Sequence, residues 1–280
     1  MYTIAQVDRF WLKALTSLYL NFSDFMEDLD DKILLRVMTY NIHGCVGADR
    51  IVNPDKVAAI IADLDVDIVA LQEVDAGHPT REHRDQAQMI ADLLGVEHIY
   101  FPVELEGLRR FGLAVLSRFP IVGFDRVRLP NVYPLLNPRK RGALRTRLET
   151  PVGPINLINT HLSLFRLERR LQLKALMAED EFTAVPANEP LVFCGDLNSG
   201  PLSETYKQVS RLLTDVQTAS NCGPLEATFH AKSPFFRIDH VFVSSHFAPL
   251  KTEVRKTADT AAASDHLPLV ADLELKKSGD

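Results

Sequence analysis

The chain has 280 residues, 46% of them hydrophobic and 24% charged, with a formal net charge of -6. That length can bury a large core, and the composition is that of a globular chain, not a disordered or fibrous one. The acidic balance excludes a chain-wide basic footprint for nucleic acid, three scattered cysteines exclude a disulfide framework or zinc signature, and no apolar run approaches the about 18 residues of a membrane span.

Residues 1–34 come first. Phe10, Trp11, Leu12, Leu15, Leu18 and Leu20 recur at helix-like spacing, and an acidic run, Glu27-Asp28-Leu29-Asp30-Asp31, follows. Without a basic leading region or a small-residue cleavage site, the segment reads as a helical extension that docks elsewhere, not as a signal peptide. With reduced thiols at Cys45, Cys194 and Cys222, the expected compartment is the cytoplasm.

Beyond it, apolar runs predict strands at 35–40, 66–71, 112–116, 155–159, 191–194, 238–243 and 267–273. Helical patterns lie between several of them. Residues 54–64 begin with a proline suited to a first turn, and 85–94 stop at Gly95, a C-cap signal. Residues 164–176 alternate leucines with charges, and 201–213 give a fourth helix. Strands interleaved with helices define an α/β class. Connections at 118–145 and 229–244 read as hairpins or long loops, so the sheet arrangement is expected to be mixed. No linker splits the chain, which gives one domain over 35–276.

The informative pattern is where polar residues fall. Apolar strands run into Asn41, into Glu73, into His161, and into Asp196 and Asn198. In open α/β sheets, function gathers outside the carboxyl ends of strands. Turns also favour Asp, Asn and Gly, so one such end means little, but four carry more weight. Asp239 stands inside an apolar strand, where an unpaired carboxylate is costly, so it needs a partner. Asp265 and His266 sit side by side before the last strand. His240, next to Asp239, should point to the opposite face and away from the chemistry.

Taken in order, TYNIHG (39–44), LQEV (71–74), NTHLS (159–163), GDLNSGP (195–201), RIDHVFVS (237–244) and SDHLPL (264–269) resemble the endonuclease/exonuclease/phosphatase family. That family of metal-dependent phosphoesterases includes DNase I, AP endonucleases, inositol polyphosphate 5-phosphatases and neutral sphingomyelinases. The resemblance implies a four-layer α/β sandwich, two packed mixed sheets flanked by helices. It implies Mg²⁺ or Mn²⁺ held by Glu73 with Asn41 and Asp265, since oxygen ligands suit a hard cation. It makes His266 the general base, its ring oriented by Asp265 or Asp239, with Asp196 as the alternative base. Asn198 would donate to a phosphoryl oxygen, and a protonated His161 would stabilise the same oxygens. Arg141 and Arg145 are candidates for phosphate contact, with surface salt bridging as the competing role.

The implied reaction is in-line hydrolysis of a phosphodiester or phosphomonoester. The motifs leave open whether the partner is a small molecule, a lipid headgroup or a nucleic acid. A nuclease of the same family and a non-catalytic binding module are the alternatives; the latter predicts loss of a site residue, and none is lost. Residues 228–236 should overhang the site, where their aromatics would stack on a base, contact lipid or close the core.

Overall fold

A computed structural model describes residues 32–77, 85–106, 109–135, 138–178, 185–186, 188–220 and 223–276. The expected extension over 1–34 therefore lies outside the described residues, except that the first strand reaches back to Lys32.

Twelve strands form two six-stranded sheets. In the first, β1 (Lys32–Asn41), β2 (Ile68–Ala76), β3 (Glu97–Glu106), β4 (Arg109–Ser117), β11 (Phe247–Val254) and β12 (Leu269–Lys276) take the order β11-β12-β1-β2-β4-β3. In the second, β5 (Ile121–Arg128), β6 (Gly142–Thr150), β7 (Gly153–His161), β8 (Leu191–Asp196), β9 (Thr214–Asp215) and β10 (Asp239–Val243) take the order β5-β6-β7-β8-β10-β9. Among the described residues only β1/β2 and β7/β8 run parallel, so both sheets are mixed. Each parallel step is made by a helical crossover, α1 (Pro54–Asp63) between β1 and β2 and α3 (Arg166–Ala178) between β7 and β8.

The remaining helices are α2 (Gln86–Leu94), α4 (Glu204–Ser210), α5 (Val216–Ala219) and α6 (Ala258–Ala263). Local chemistry sets their ends. Asn53 caps α1 ahead of Pro54, Asp85 caps α2, and Gly95 closes α2 at φ 67°, a left-handed turn that glycine adopts without a Cβ penalty.

Burial follows the layers. Leu35, Val37, Leu157, Val192 and Val241 face a core between the sheets. Met38 and Tyr40 point the other way and pack with Val57, Ile61 and Ile90 of α1 and α2. Ile158 and Phe193 pack with Leu173, Leu176, Tyr206 and Val209 of α3 and α4. The result is helix, sheet, sheet, helix: the four-layer sandwich expected.

A polar bridge crosses the central core. Gln72 Nε2 donates to Asn159 Oδ1 at 2.8 Å, and Asn159 Nδ2 donates to the carbonyls of Leu71 and Ala114, both at 2.9 Å. Buried amides are costly unless satisfied. These two satisfy each other across the two sheets and lie one or two residues before Glu73 and His161. No helix among the described residues is long and apolar enough to cross a membrane.

Candidate active site

Register builds the site. In the second sheet Arg128 pairs with Gly142, Gly142 with His161, His161 with Asp196, and Asp196 with Asp239. One transverse row therefore carries an imidazole and two carboxylates on adjacent strands, with Arg141 one residue outside it. Gly195 permits that closeness. Its φ is 137°, and a Cβ there would stand 1.9 Å from the Thr160 carbonyl oxygen. The first sheet meets the row through Asn41, whose Nδ2 donates to Asp196 Oδ2 at 3.1 Å.

Asp196 is buried and heavily used. Its Oδ1 accepts the backbone N–H of Asn198 at 2.9 Å, and its Oδ2 lies 3.3 Å from His161 Nε2 and 3.8 Å from His266 Nε2. Burial first, then the charge of Asp239, pushes its carboxyl up to about 7, against the pull of His266. Asp239 Oδ2 accepts from Thr228 Oγ1 at 2.5 Å and meets His266 Nδ1 at 2.8 Å, while its buried Oδ1 has no partner. For His266, burial disfavours the charge, but Asp239 outweighs it and raises the imidazole to about 10.

Of the two residues expected to orient the His266 ring, the geometry selects Asp239. Asp265 faces elsewhere: its Oδ1 is 3.8 Å from His43 Nδ1, and both line a cavity of about 210 Å³ with His230, Ala231, Lys232 and Ser264. His43 thus stands at the edge of the site.

His161 departs from expectation. Burial first, then the guanidinium of Arg141, holds its imidazole well below the usual range, so the ring is neutral and not the cation expected. Arg141 Nη1 lies 2.9 Å from both ring nitrogens, Nδ1 and Nε2, and Nε2 also faces Asp196 Oδ2 at 3.3 Å. Arg141 is buried and sits in the field of Glu73 and Asp196, whose charges favour its protonated form against burial. Arg145 does not join it. It lies opposite Ile158, and its guanidinium holds Asp125 through Nε at 3.0 Å and through a second, shorter contact from Nη2. The competing role of a surface salt bridge is the one it takes.

Glu73 reaches the site by a bulge. The pairing of β2 with β4 slips between Gln72 and Val74, and Glu73 adopts φ 56°. A bulge re-aims a side chain that regular pleating would direct elsewhere. Asn198 is likewise left-handed, at φ 47°, and one hydrogen of its Nδ2 is given to the Leu162 carbonyl at 2.9 Å, leaving the other for a ligand.

The motifs did not single out Thr228, although it fixes Asp239; a threonine beside an aromatic run carries no chemical signature. His240 turns away as expected: Nε2 lies 2.7 Å from the Ser199 carbonyl and the ring packs against Tyr206.

A divalent cation suits these donors. Asp196, Asp239 and His266 bring ligand atoms within 4.8 Å of one another, and the Asp239 Oδ1 is a buried oxygen in need of a partner. Glu73 and Asp265, two of the ligands that the resemblance assigns, stand outside that cluster among the described residues.

The α/β sandwich gathers carboxylates, amides and histidines at its strand ends, and comparison with known proteins supplies the family. The endonuclease/exonuclease/phosphatase family model matches residues 38–266, and the chain belongs to that family. It is 27% identical over 266 residues to the uncharacterized protein YbhP of Escherichia coli (strain K12), covering 89% of this chain and all of that protein. An endonuclease/exonuclease/phosphatase structure from Beutenbergia cavernae superposes with TM-score 0.70 at 28% identity, covering 88% of this chain and 72% of that one. A mannosyl-6-phosphatase from Bacteroides thetaiotaomicron superposes at 0.71 with 20% identity, covering 85% and 99%, a likeness of fold. Members of the family hydrolyse phosphoester bonds and generally use divalent metals.

Proposed function

We propose that the protein is a divalent-metal-dependent phosphoesterase, hydrolysing a phosphodiester or phosphomonoester by in-line attack of water. One observation carries the reading. Asp196, Asp239 and His266 converge within 4.8 Å beside Asn41, His161 and Arg141, in a chain of a phosphoesterase family.

Glu73 with Asn41 and Asp265 would hold Mg²⁺ or Mn²⁺, which would supply charge neutralisation and polarisation at the phosphoryl group. The chain's own residues do the rest. The proton leaving the attacking water goes to Asp196, not to His266, whose imidazole is already protonated and faces Asp196 Oδ2 at 3.8 Å. Asp239 holds the His266 ring in place. Arg141 and the free amide hydrogen of Asn198 supply donors to phosphoryl oxygens as charge develops. Neutral His161 keeps Arg141 and Asp196 in register.

The test is a panel of bis-p-nitrophenyl phosphate, p-nitrophenyl phosphate, plasmid DNA, RNA and phospholipid, each with Mg²⁺ or Mn²⁺ and with chelator. The expected result is metal-dependent release from at least one ester, reduced about 10²-fold or more by Asp196→Ala and by His266→Ala. Turnover surviving in both variants sinks the site; an untouched panel favours a binding module. Cleavage confined to DNA or RNA selects the nuclease alternative.

A further inference from the structure

Four connections leave the site end of the second sheet, their described parts being 129–135 and 138–141 between β5 and β6, 162–165 after β7, 197–203 after β8, and 229–238 before β10. They are tied side by side. Tyr133 packs on Phe165, Asn198 Nδ2 donates to the Leu162 carbonyl, and Leu197 N–H donates to the Ile238 carbonyl. Together they form a rim around Asp196 and Asp239.

Two properties of this rim are unusual. The first is apolar exposure. Leu135 is 97% exposed, Leu202 90% and Phe235 81%, and Leu164, Phe165 and Phe236 are exposed as well. With exposed Val132, these are seven of the eighteen large exposed hydrophobics among the described residues. Single exposed leucines need no explanation, but a clustered set marks an interaction surface. Phe235 and Phe236 do not close the core, one of the roles expected for them. The second is charge. None of the four segments contains an aspartate or glutamate, in a chain that has 37. Their exposed cations are Arg139, Lys140 and Lys232, with exposed Arg166 directly after; Arg141 and Arg237 are buried, the latter paired with Asp215.

We propose that this rim docks on an anionic phospholipid surface, so that the phosphoester delivered to the site is one carried by a lipid. The inference rests on the phosphoesterase reading and names its substrate class. Apolar tips interleaved with cations and free of carboxylates match an acyl boundary beneath anionic headgroups, where burial of each side chain and attraction of each cation add. Leu135, Leu164 and Leu202 have no ring to stack on a base, which sets the rim apart from a single-strand nucleic-acid platform.

The test is co-sedimentation of the full chain with phosphatidylcholine vesicles, with and without phosphatidylglycerol. It runs beside a triple variant, Leu135→Ser, Leu202→Ser and Phe235→Ser, none of which touches the site. Wild type should pellet with the anionic vesicles, less at high salt, and the triple variant should lose most of that binding while keeping its melting temperature. Its turnover of any soluble ester the wild type cleaves should stay within about twofold, because the chemistry is untouched. Binding unchanged in the triple variant overturns the proposal and places any contact elsewhere, on residues 1–31 for instance. Equal binding to neutral vesicles overturns the charge argument. Loss of oligonucleotide binding in the variant, with no vesicle binding by either protein, reassigns the rim to nucleic acid. Vesicle binding is read without turnover, so failure of the phosphoesterase reading and failure of this one are distinguishable.

Discussion

Gln72 of the first sheet and Asn159 of the second share a buried 2.8 Å hydrogen bond, and the next residues along their strands lead directly to Glu73 and His161. The bond fixes how far apart the two halves of the site stand. Asn159→Ala removes this acceptor and both donors to Leu71 and Ala114 in the interior. The expected cost is about 3 kcal/mol, since unsatisfied buried groups cost more than their hydrogen bonds contribute. Urea denaturation should give a lower midpoint with an unchanged slope, and activity should fall in the folded fraction.

His240 predicts a pH dependence of stability that is independent of turnover. Burial first, then Arg237, holds its imidazole down at about 4, against an unperturbed 6.5. The neutral ring therefore contributes fully above about pH 6.5, and that contribution is lost as pH falls through about 4. The linked loss is on the order of 3 kcal/mol. His240→Gln retains a donor for the Ser199 carbonyl without titrating. It should be less stable than wild type at pH 7.5 and should lose less stability between pH 6.5 and 4, as measured by thermal melts across that range.

Arg141 and Arg145 differ by four residues and should differ widely in effect. Arg141 is buried against His161; Arg145 pairs with exposed Asp125. Arg141→Ala should reduce kcat/KM by about 10²-fold, the scale of losing one donor to developing charge. Arg145→Ala should leave it within about twofold, since surface pairs contribute little. Steady-state kinetics on one ester separates the two, and equal effects would remove Arg141 from the site.

Metal dependence should run through Glu73. Partners behind a metal ligand are worth about 10–100-fold in affinity, so Glu73→Gln should raise the Mg²⁺ or Mn²⁺ needed for half-maximal activity by at least that factor. Titration of metal into chelator-treated protein measures it, with Glu97→Gln, on the distant start of β3, as the control.

The sequence made much of this site legible because each apolar strand ends abruptly in its functional residue. Asn41, His161 and Asp196 terminate β1, β7 and β8. The strands missed are of another kind. β3, β5, β9 and β11 are edge strands, β9 only two residues long, and β6 sets arginines on alternate positions; except for Ile99-Tyr100-Phe101 in β3, no apolar run marks them. Pairing that crosses the chain was also hidden. Nothing local joins Asp239 to Thr228 or His266, and nothing distinguishes Arg141 from Arg145 until register puts one at the row of ligands and the other opposite Ile158. The charge of His161 was misjudged for the same reason, since it depends on burial and on Arg141.

The bulge at Glu73 has a consequence for evolution and for engineering alike. A glutamate held at φ 56° carries a backbone penalty of roughly 1 kcal/mol that glycine does not. Glu73→Gly should therefore melt at a higher temperature than wild type while losing its response to metal. A library of this chain sorted only for thermal survival would drift toward that glycine and fill with inert, hardy sandwiches. The left-handed glutamate persists only where hydrolysis is itself selected.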